Sequence, residues 1–367
     1  LNTRDKKKAH ELAITIRESG KAARDADGKL VRDKDGKKVM VPGLFSHCKA
    51  VGWYIDSYNR AQISINLTNY KITPPHLVLE KVRELAASMG VQVTGSELVG
   101  LIPKAALLDA GKYYLERMGE STGIPEKMIM ETAIQSMGLA ELAPFDLDKK
   151  VIEYAIARQD SLASMRVDAF ADLLSTDSPA PGGGSVAALC AALSGALSAM
   201  VANLTMDKKG YEQVQDKVHE LAPLGQSIKE RALQCIDRDT DAFNAMMEAM
   251  RLPKKTDEEI ALRDAAMEKT TQGAILVPFE TLQLAREAIQ LAAQVAVVGN
   301  VNALSDAGVA GLTALTAAKG AFYNILINLP GSTDPAFKDD IRSRAEELLA
   351  RCEEEAARVE EEVRKRL

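Results

Sequence analysis

The sequence is short of the residues that most often mark a reactive or metal-binding centre. Its four cysteines, Cys48, Cys190, Cys235 and Cys352, include no CxxC pair, which argues against a zinc ribbon or a redox dithiol. Cys190 and Cys235 fall inside apolar helical patterns, as buried thiols in a reducing compartment do. The four histidines, His10, His47, His76 and His219, have no metal-ligand spacing and no nucleophile beside them, and are expected on the surface or in loops. No GKS or GKT completes the one glycine run, so nucleotide hydrolysis by a P-loop is not expected. Basic residues are not in excess either: a net charge of -6 and a pI near 5.5 argue against a nucleic-acid partner or an anionic membrane surface, while leaving room for a discrete anionic ligand. The opening LNTRDKKKAHELA has neither an initiator Met nor the apolar core of a signal peptide. The expectation is a cytoplasmic protein.

What is present points to two unlike halves, since 367 residues exceed the usual single domain of roughly 100 to 200. In the first half, Ala9, Leu12, Ala13 and Ile16 recur at helical spacing. The two DGK turns of DADGKLVRDKDGKK lack the ligand spacing of a calcium loop and predict a surface hairpin. KAVGWYID and AQISINLTNY alternate as paired strands, PPHLVLEKVRELAASMG opens as a helix on two prolines, and VQVTGSELVGLIP reads as a further strand. Helix, strand, strand, helix, strand is a split α/β sandwich, ferredoxin-like but incomplete, missing its first strand and leaving a sheet edge open. KAALLDAGKYYLERMG and EKMIMETAIQSMG add helices.

From Val167 onward no strand pattern occurs, and the long 3.6-residue periodicities predict an all-α bundle. The whole is an α+β two-domain chain. The seam Leu348, Cys352, Ala356, Val359 and Val363 of the last helix is flanked by mixed charges, which form a solvated face or meet a partner helix. One stretch stands apart: SPAPGGGSVAALCAALSGALSAMVANLT carries no charge from Val186 to Thr205. Its weakly hydrophobic Ala, Ser and Gly and its lack of a Trp or Tyr belt argue against a membrane span and for a helix covered on all sides, within a bundle or by another subunit.

Four features of the second half could carry chemistry. In CIDRDTDAFNAMMEAMRLPKK, Asp239 falls on the apolar stripe while Asp237 and Asp241 face away and are expected to be solvated. An inward carboxylate is either satisfied structurally by its neighbours or poised to exchange protons near neutrality. Asn324 and Asn328 share a helix face, where they hydrogen-bond between helices or line a ligand site. Ser305 is expected to cap a helix whose first turn holds Asp306. Gly182, Gly183 and Gly184 before Ser185 either form a packing turn or bring free N–H groups against an anionic ligand.

SPAPGGGSVAALCAALSGAL, DRDTDAFNAMMEAMRLPK, GNVNALSDAGVAGL and AFYNILINL stand in this order and resemble the cyclodeaminase domain of the formiminotransferase-cyclodeaminases. VPGLFSHCKAVGWYIDSYNRAQISINLTNY and VTGSELVGLIP are similar to the carboxy-terminal subdomain of the family's transferase part. The resemblance implies that residues 1–150 are this subdomain, 151–166 a linker and 167–367 the cyclodeaminase helical bundle. It further implies that the amino-terminal transferase subdomain, with the transfer histidine, is lacking, so that transferase activity is expected only with it.

The implied reaction converts formimino-tetrahydrofolate to methenyl-tetrahydrofolate and ammonia, in histidine degradation and one-carbon metabolism, with folate as substrate and no metal, nucleotide or redox cofactor. The essential aspartate of D-x-D-x-x-A-F maps onto Asp239, with Asp237 the alternative. The residues expected to bind substrate are Gly182, Gly183, Gly184, Ser185, Asp306, Asn324 and Asn328. Lys208, Lys209, Lys254 and Lys255 are expected to form a cationic rim for the folate glutamate tail. The family also implies a homo-oligomer built from cyclodeaminase dimers. Two other readings stand beside this one: a methenyltetrahydrofolate cyclohydrolase, and a non-enzymatic helical scaffold.

Overall fold

The computed structural model describes residues 1–158 and 160–367. They divide into two compact units, one of Leu1–Glu120 with Glu126–Ala157 and one of Ser121–Pro125 with Arg158–Leu367.

In the first unit, helix α1 (Lys6–Ile16) starts on Asp5, whose carboxylate accepts the Lys7 N–H, and buries Ala9, Leu12, Ala13 and Ile16. Short strands β1 (Lys21–Ala22) and β2 (Met40–Val41) pair at the base of an exposed finger. Within it Asp25 and Asp33 close two turns of the same build: each accepts backbone N–H groups two and four residues on. Strands β3 (Cys48–Ile55) and β4 (Arg60–Leu67) form an antiparallel hairpin. Gly52 lies so close to α1 that a Cβ there would fall 2.5 Å from His10 Cα. Helices α2 (Pro75–Ser88), α3 (Lys104–Met118) and α4 (Glu126–Met137) and the single turns α5 (Leu147–Lys150) and α6 (Ile152–Ala155) complete the unit.

Two expectations are corrected here. VQVTGSELVGLIP forms no ladder strand, because its backbone is divided among partners: Gln92 O takes the Asn2 N–H, Ser96 N–H goes to Gly138 O, and Ile102 bridges Val151. Nor is the sheet edge beside β4 open. Residues 1–3 occupy it, with the Leu1 amino group donating to Ala61 O and the Ala61 N–H to Thr3 O.

The second unit is helical: α7 (Val167–Leu174), α8 (Gly183–Asn203), α9 (Gln215–Met250), α10 (Asp257–Val298), α11 (Leu304–Asn328) and α12 (Pro335–Arg366). From α8 to α12, helices consecutive in the chain run antiparallel, while α10 and α12 pack side by side in parallel. Ser194 Oγ on α8 donates to Ala310 O on α11. Gly195 on α8 and Gly225 on α9 face each other so closely that a Cβ on either would sit 2.6–2.8 Å from the other's carbonyl oxygen. Small residues on α8 thus let two backbones meet. The core is rich in alanine for the same reason, with Ala187, Ala188, Ala191, Ala192, Ala288, Ala292, Ala314 and Ala318 almost wholly buried. Coverage of α8 is one-sided, however. Leu193, Met200 and Leu204 lie exposed, so within this chain the uncharged helix is not enclosed all round, as its composition predicts. Its length and hydropathy would suffice for a membrane span, yet its small-residue face is spent on α9, α10 and α11.

Candidate functional site

The glycine run ends at the first turn of α8. Gly182 is its N-cap residue, in extended conformation, and no side chain of its own caps the helix, which leaves amide hydrogens at the positive end of the dipole without an intrahelical acceptor. The group that meets them comes from α9. Asp239 projects onto this turn, where its carboxylate accepts the Ser185 hydroxyl at Oδ2 over 3.0 Å. A Cβ at residue 184 would lie 2.6 Å from Oδ2 and closer still to Oδ1. Only glycine leaves room for the carboxylate.

Asn324 enters from α11. Its Nδ2 donates to Gly320 O over 2.8 Å, which fixes the amide, and the amide lies 3.4 Å from where a Cβ at residue 183 would stand. Asp239, Ser185, Asn324 and the bare backbone of Gly183 and Gly184 therefore form one cradle, supplied by three helices. Burial pushes the Asp239 carboxyl above the ordinary aspartate range, while the Ser185 hydroxyl and N–H pull it back. A half-buried carboxylate balanced in this way takes up and releases a proton closer to neutrality than a solvated one.

The other sequence candidates are placed elsewhere. Asn328 Nδ2 donates to Ala274 O on α10, an interhelical tie one turn from Asn324. Asp306 lies in the first turn of α11, roughly 27 Å along the helix from Asn324. That helix begins at Leu304, so Ser305 is not its cap; Asn300 instead caps the 3-10 turn Val301–Ala303 before it. Lys208 and Lys209 follow the far end of α8, whose 21 residues span about 30 Å, and there they line a separate cleft of ≈ 350 Å³ with Asp207, Glu212 and Gln215. Lys254 and Lys255 are exposed beyond the end of α9, roughly 20 Å from Asp239 along the helix. No rim of four lysines surrounds the cradle in this chain. A larger cleft of ≈ 1080 Å³ belongs to the first unit and is lined by residues in and around α1 and β1, of both charges, among them Asp5, Lys6, Glu11 and Lys21; it contains no cradle residue.

The neighbours of Asp239 need a further correction. Asp237 is not solvated: it is half-buried and accepts the Ser161 hydroxyl and the Leu162 N–H, each over 2.6 Å, so it caps the 3-10 turn Leu162–Ser164. Asp241 is exposed and takes a two-pronged contact from Arg158. Both flanking carboxylates are engaged, by Arg158, Ser161 and Leu162, which leaves Asp239 as the one facing the glycines. Ser161 and Arg158 carry no sequence signal that would pair them with Asp237 and Asp241, since they lie 76 and 83 residues away from their partners, outside α9. Among the described residues no cluster of three or more His, Cys, Asp or Glu side chains could hold a metal ion.

Comparison with known proteins supplies the relationship. Residues 166–347 match the family model of formiminotransferase-cyclodeaminase, and residues 1–157 match that of the formiminotransferase domain. The chain is 34% identical to the formimidoyltransferase-cyclodeaminase of Rattus norvegicus over 94% of its own length and 61% of the relative's; it thus spans about three-fifths of that protein. Half of the chain is 39% identical to 88% of the methenyltetrahydrofolate cyclohydrolase of Methylorubrum extorquens. The crystal structure of the formiminotetrahydrofolate cyclodeaminase of Thermotoga maritima superposes with a TM-score of 0.50 at 25% identity, covering 55% of this chain and 97% of that one. The transferase match runs through residues 1–157, which overturns the expectation that this half lacks the domain's amino-terminal subdomain. With both of its characteristic parts matched in order, the chain belongs to the formiminotransferase-cyclodeaminase family.

Proposed function

We propose that the helical unit closes the ring of formimino-tetrahydrofolate to give methenyl-tetrahydrofolate and ammonia. The observation that carries this reading is the Asp239 carboxylate, held at the bare N-terminus of α8 by Ser185. In the reaction, a folate nitrogen attacks the carbon of the protonated formimino group, the C=N double bond becomes a single bond to an amine, and the attacking nitrogen's proton passes to Asp239. The tetrahedral intermediate then holds both nitrogens and the former formimino amine. Asp239 returns the proton to that amine, the C–N bond breaks, and ammonia departs. One group of intermediate acidity serves both transfers, and a cradle that holds the two reacting atoms together supplies the remainder. A stand-alone cyclodeaminase matched over 97% of its length within this chain supports placing the reaction in the helical unit.

The test is an assay of the purified chain with formimino-tetrahydrofolate, following methenyl product by absorbance and ammonia separately. Methenyl formation with equimolar ammonia is expected; neither product would sink the enzymatic reading and leave a scaffold. A second reading, methenyl hydrolysis, is favoured by the 39% identity to a cyclohydrolase. Consumption of methenyl-tetrahydrofolate without any ammonia-releasing activity would establish it instead.

The family match of residues 1–157 supports formimino transfer as the role of the first unit, the reaction whose product the second consumes. The hydrogen bonds that set residues 1–3 between β4 and Gln92 support a ferredoxin-like strand order there. Adjacent helices α8 and α11 each leave an apolar stripe uncovered, Leu193, Met200 and Leu204 on one and Val309, Leu312, Tyr323 and Ile327 on the other. These support a homo-oligomer in which a second copy covers them. Four unpaired cysteines, three of them buried, suit a cytoplasmic enzyme.

A further inference from the structure

We propose that Ser185 is the positioning residue for Asp239: its hydroxyl holds Oδ2, so that Oδ1 is the oxygen that takes and returns the proton. The inference rests on the reading of Asp239 as proton carrier, and it adds which oxygen works and what keeps it aimed.

Ser185 is fully buried, so its hydroxyl has no water to fall back on and must be satisfied by protein. Two good acceptors are in reach, Asp239 Oδ2 at 3.0 Å and Ile236 O at 3.2 Å, with Thr240 Oγ1 at the limit of contact, 3.5 Å. A hydroxyl carries one proton and can turn it toward either. When Asp239 is charged, the hydroxyl donates to Oδ2, where a charge-assisted bond is strongest. Once Asp239 holds a proton on Oδ1, its other oxygen is a weaker acceptor, and the Ile236 carbonyl is available to the same hydroxyl. Neither protonation state then leaves a buried polar group without a partner, so the carboxylate can cycle without the cost of an orphaned hydroxyl. The Ser185 N–H, at the same helix start, also favours the charged carboxylate. Gly184 shapes the opposite side: Oδ1 is the carboxylate atom nearest to where its Cβ would be.

Other charges do not compete for this role. On α9, Asp237 accepts the Ser161 hydroxyl and the Leu162 N–H, Arg238 pairs with Glu280 of α10, and Asp241 pairs with Arg158. On α8 no residue is charged. On α11, Lys319 pairs with Glu353 of α12, and Asp306 lies at the far end. The balance at Asp239 is between burial and Ser185 alone.

The experiment compares the parent chain with Ser185→Ala and Ser185→Thr. Loss of the hydroxyl removes a bond that favours the carboxylate, so the acid limb of the kcat profile is expected to move to higher pH. We expect kcat at its optimum to fall about tenfold or more while KM stays within about twofold, and threonine, which keeps the hydroxyl, to restore the limb. An unmoved acid limb in a folded Ser185→Ala chain overturns the proposal. A second measurement does not depend on turnover: carboxyl titration of 13C-labelled aspartate, with the Asp239 signal assigned by its loss in Asp239→Asn. The signal should titrate at higher pH in Ser185→Ala, or in Ser185→Cys if alanine prevents folding, and identical titration overturns the proposal. If Asp239→Asn itself retains full turnover, the proposed reaction mechanism fails while the titration still decides whether Ser185 governs Asp239.

Discussion

The carboxylate of Asp239 occupies the volume that a side chain on Gly184 would fill. Two residues from different helices thus share one space, and the demand for glycine at this position comes from the acid opposite it rather than from backbone strain: Gly184 lies within regular helix, and it is absent from the glycines with positive φ.

Gly184→Ala therefore tests the cradle directly. The methyl group must displace the carboxylate, and we expect a fall in kcat of about a hundredfold, within the range for misplacing a general acid–base group. Overpacking should destabilise the fold by about 1–3 kcal/mol, read from denaturant unfolding. Gly183→Ala, whose Cβ would meet only the Asn324 amide at 3.4 Å, should be much milder. Equal turnover in the two variants would contradict the geometry.

Asp239→Asn keeps the shape but cannot carry the proton, and turnover should drop by about 10²–10⁴ without loss of folded structure. The stability effect has a definite sign. Burial raises the folded-state pKa of Asp239, so its neutral form is the one the fold prefers; that contribution is complete below the unfolded pKa and is lost as pH rises through the folded one. The Asn variant should be at least as stable as the parent at neutral pH, measured by thermal unfolding. Asp237→Asn, which weakens the cap on residues 161–162, should instead lower stability by about 1 kcal/mol and affect turnover only modestly.

Glu268 provides the opposite sign. It accepts the Ser332 and Thr333 hydroxyls and the Thr333 N–H where α11 hands over to α12, and these bonds hold its carboxyl down at about 2. Its contribution to stability is present above the ordinary glutamate pKa and is lost as pH falls from there to about 2. Glu268→Gln should lower the melting temperature near neutrality, with the gap to the parent closing through that acid window. A constant gap down to pH 2 would contradict the assignment.

Replacing Lys208, Lys209, Lys254 and Lys255 with Gln should leave KM for a monoglutamate folate unchanged, since about 20–30 Å of helix separates them from Asp239. An effect that appears only with longer glutamate tails, and that weakens with salt, would show that the tail reaches them. A raised KM for the monoglutamate would contradict their placement.

The uncovered stripes of α8 and α11 should make the protein multimeric in light scattering. Leu312→Asp with Ile327→Asp, both on the exposed side of α11, should shift the mass toward that of one chain.

The bundle was legible because periodicity is a local property: residues three and four apart share a helix face whatever the neighbouring helix is. Asp239 stood out for this reason, as a charge on an apolar stripe. Its grip by Ser185 did not, because 54 residues separate the two and nothing local links them. Asp237 misled because helix phase describes one cylinder, while residues 161–162 approach from outside it. The lysines and Asp306 flank the helices that carry the glycines, Asp239 and Asn324, but a long helix carries its two ends far apart. VQVTGSELVGLIP has the alternation of a strand, yet a strand also needs a partner along its whole length, and residue pattern does not provide one.

Gly195 and Gly225, where α8 and α9 meet backbone to backbone, have a consequence for the cradle. They interlock the two helices at one point, roughly 16 Å along α8 from Gly184. Such a fulcrum resists sliding, since moving either helix by one residue would bring a Cβ against the other's carbonyl. The alignment of Asp239 with Ser185 is therefore gauged at a distance, by a joint that touches no substrate, and a bulkier residue at that joint would detune the reaction as surely as a change in the cradle itself.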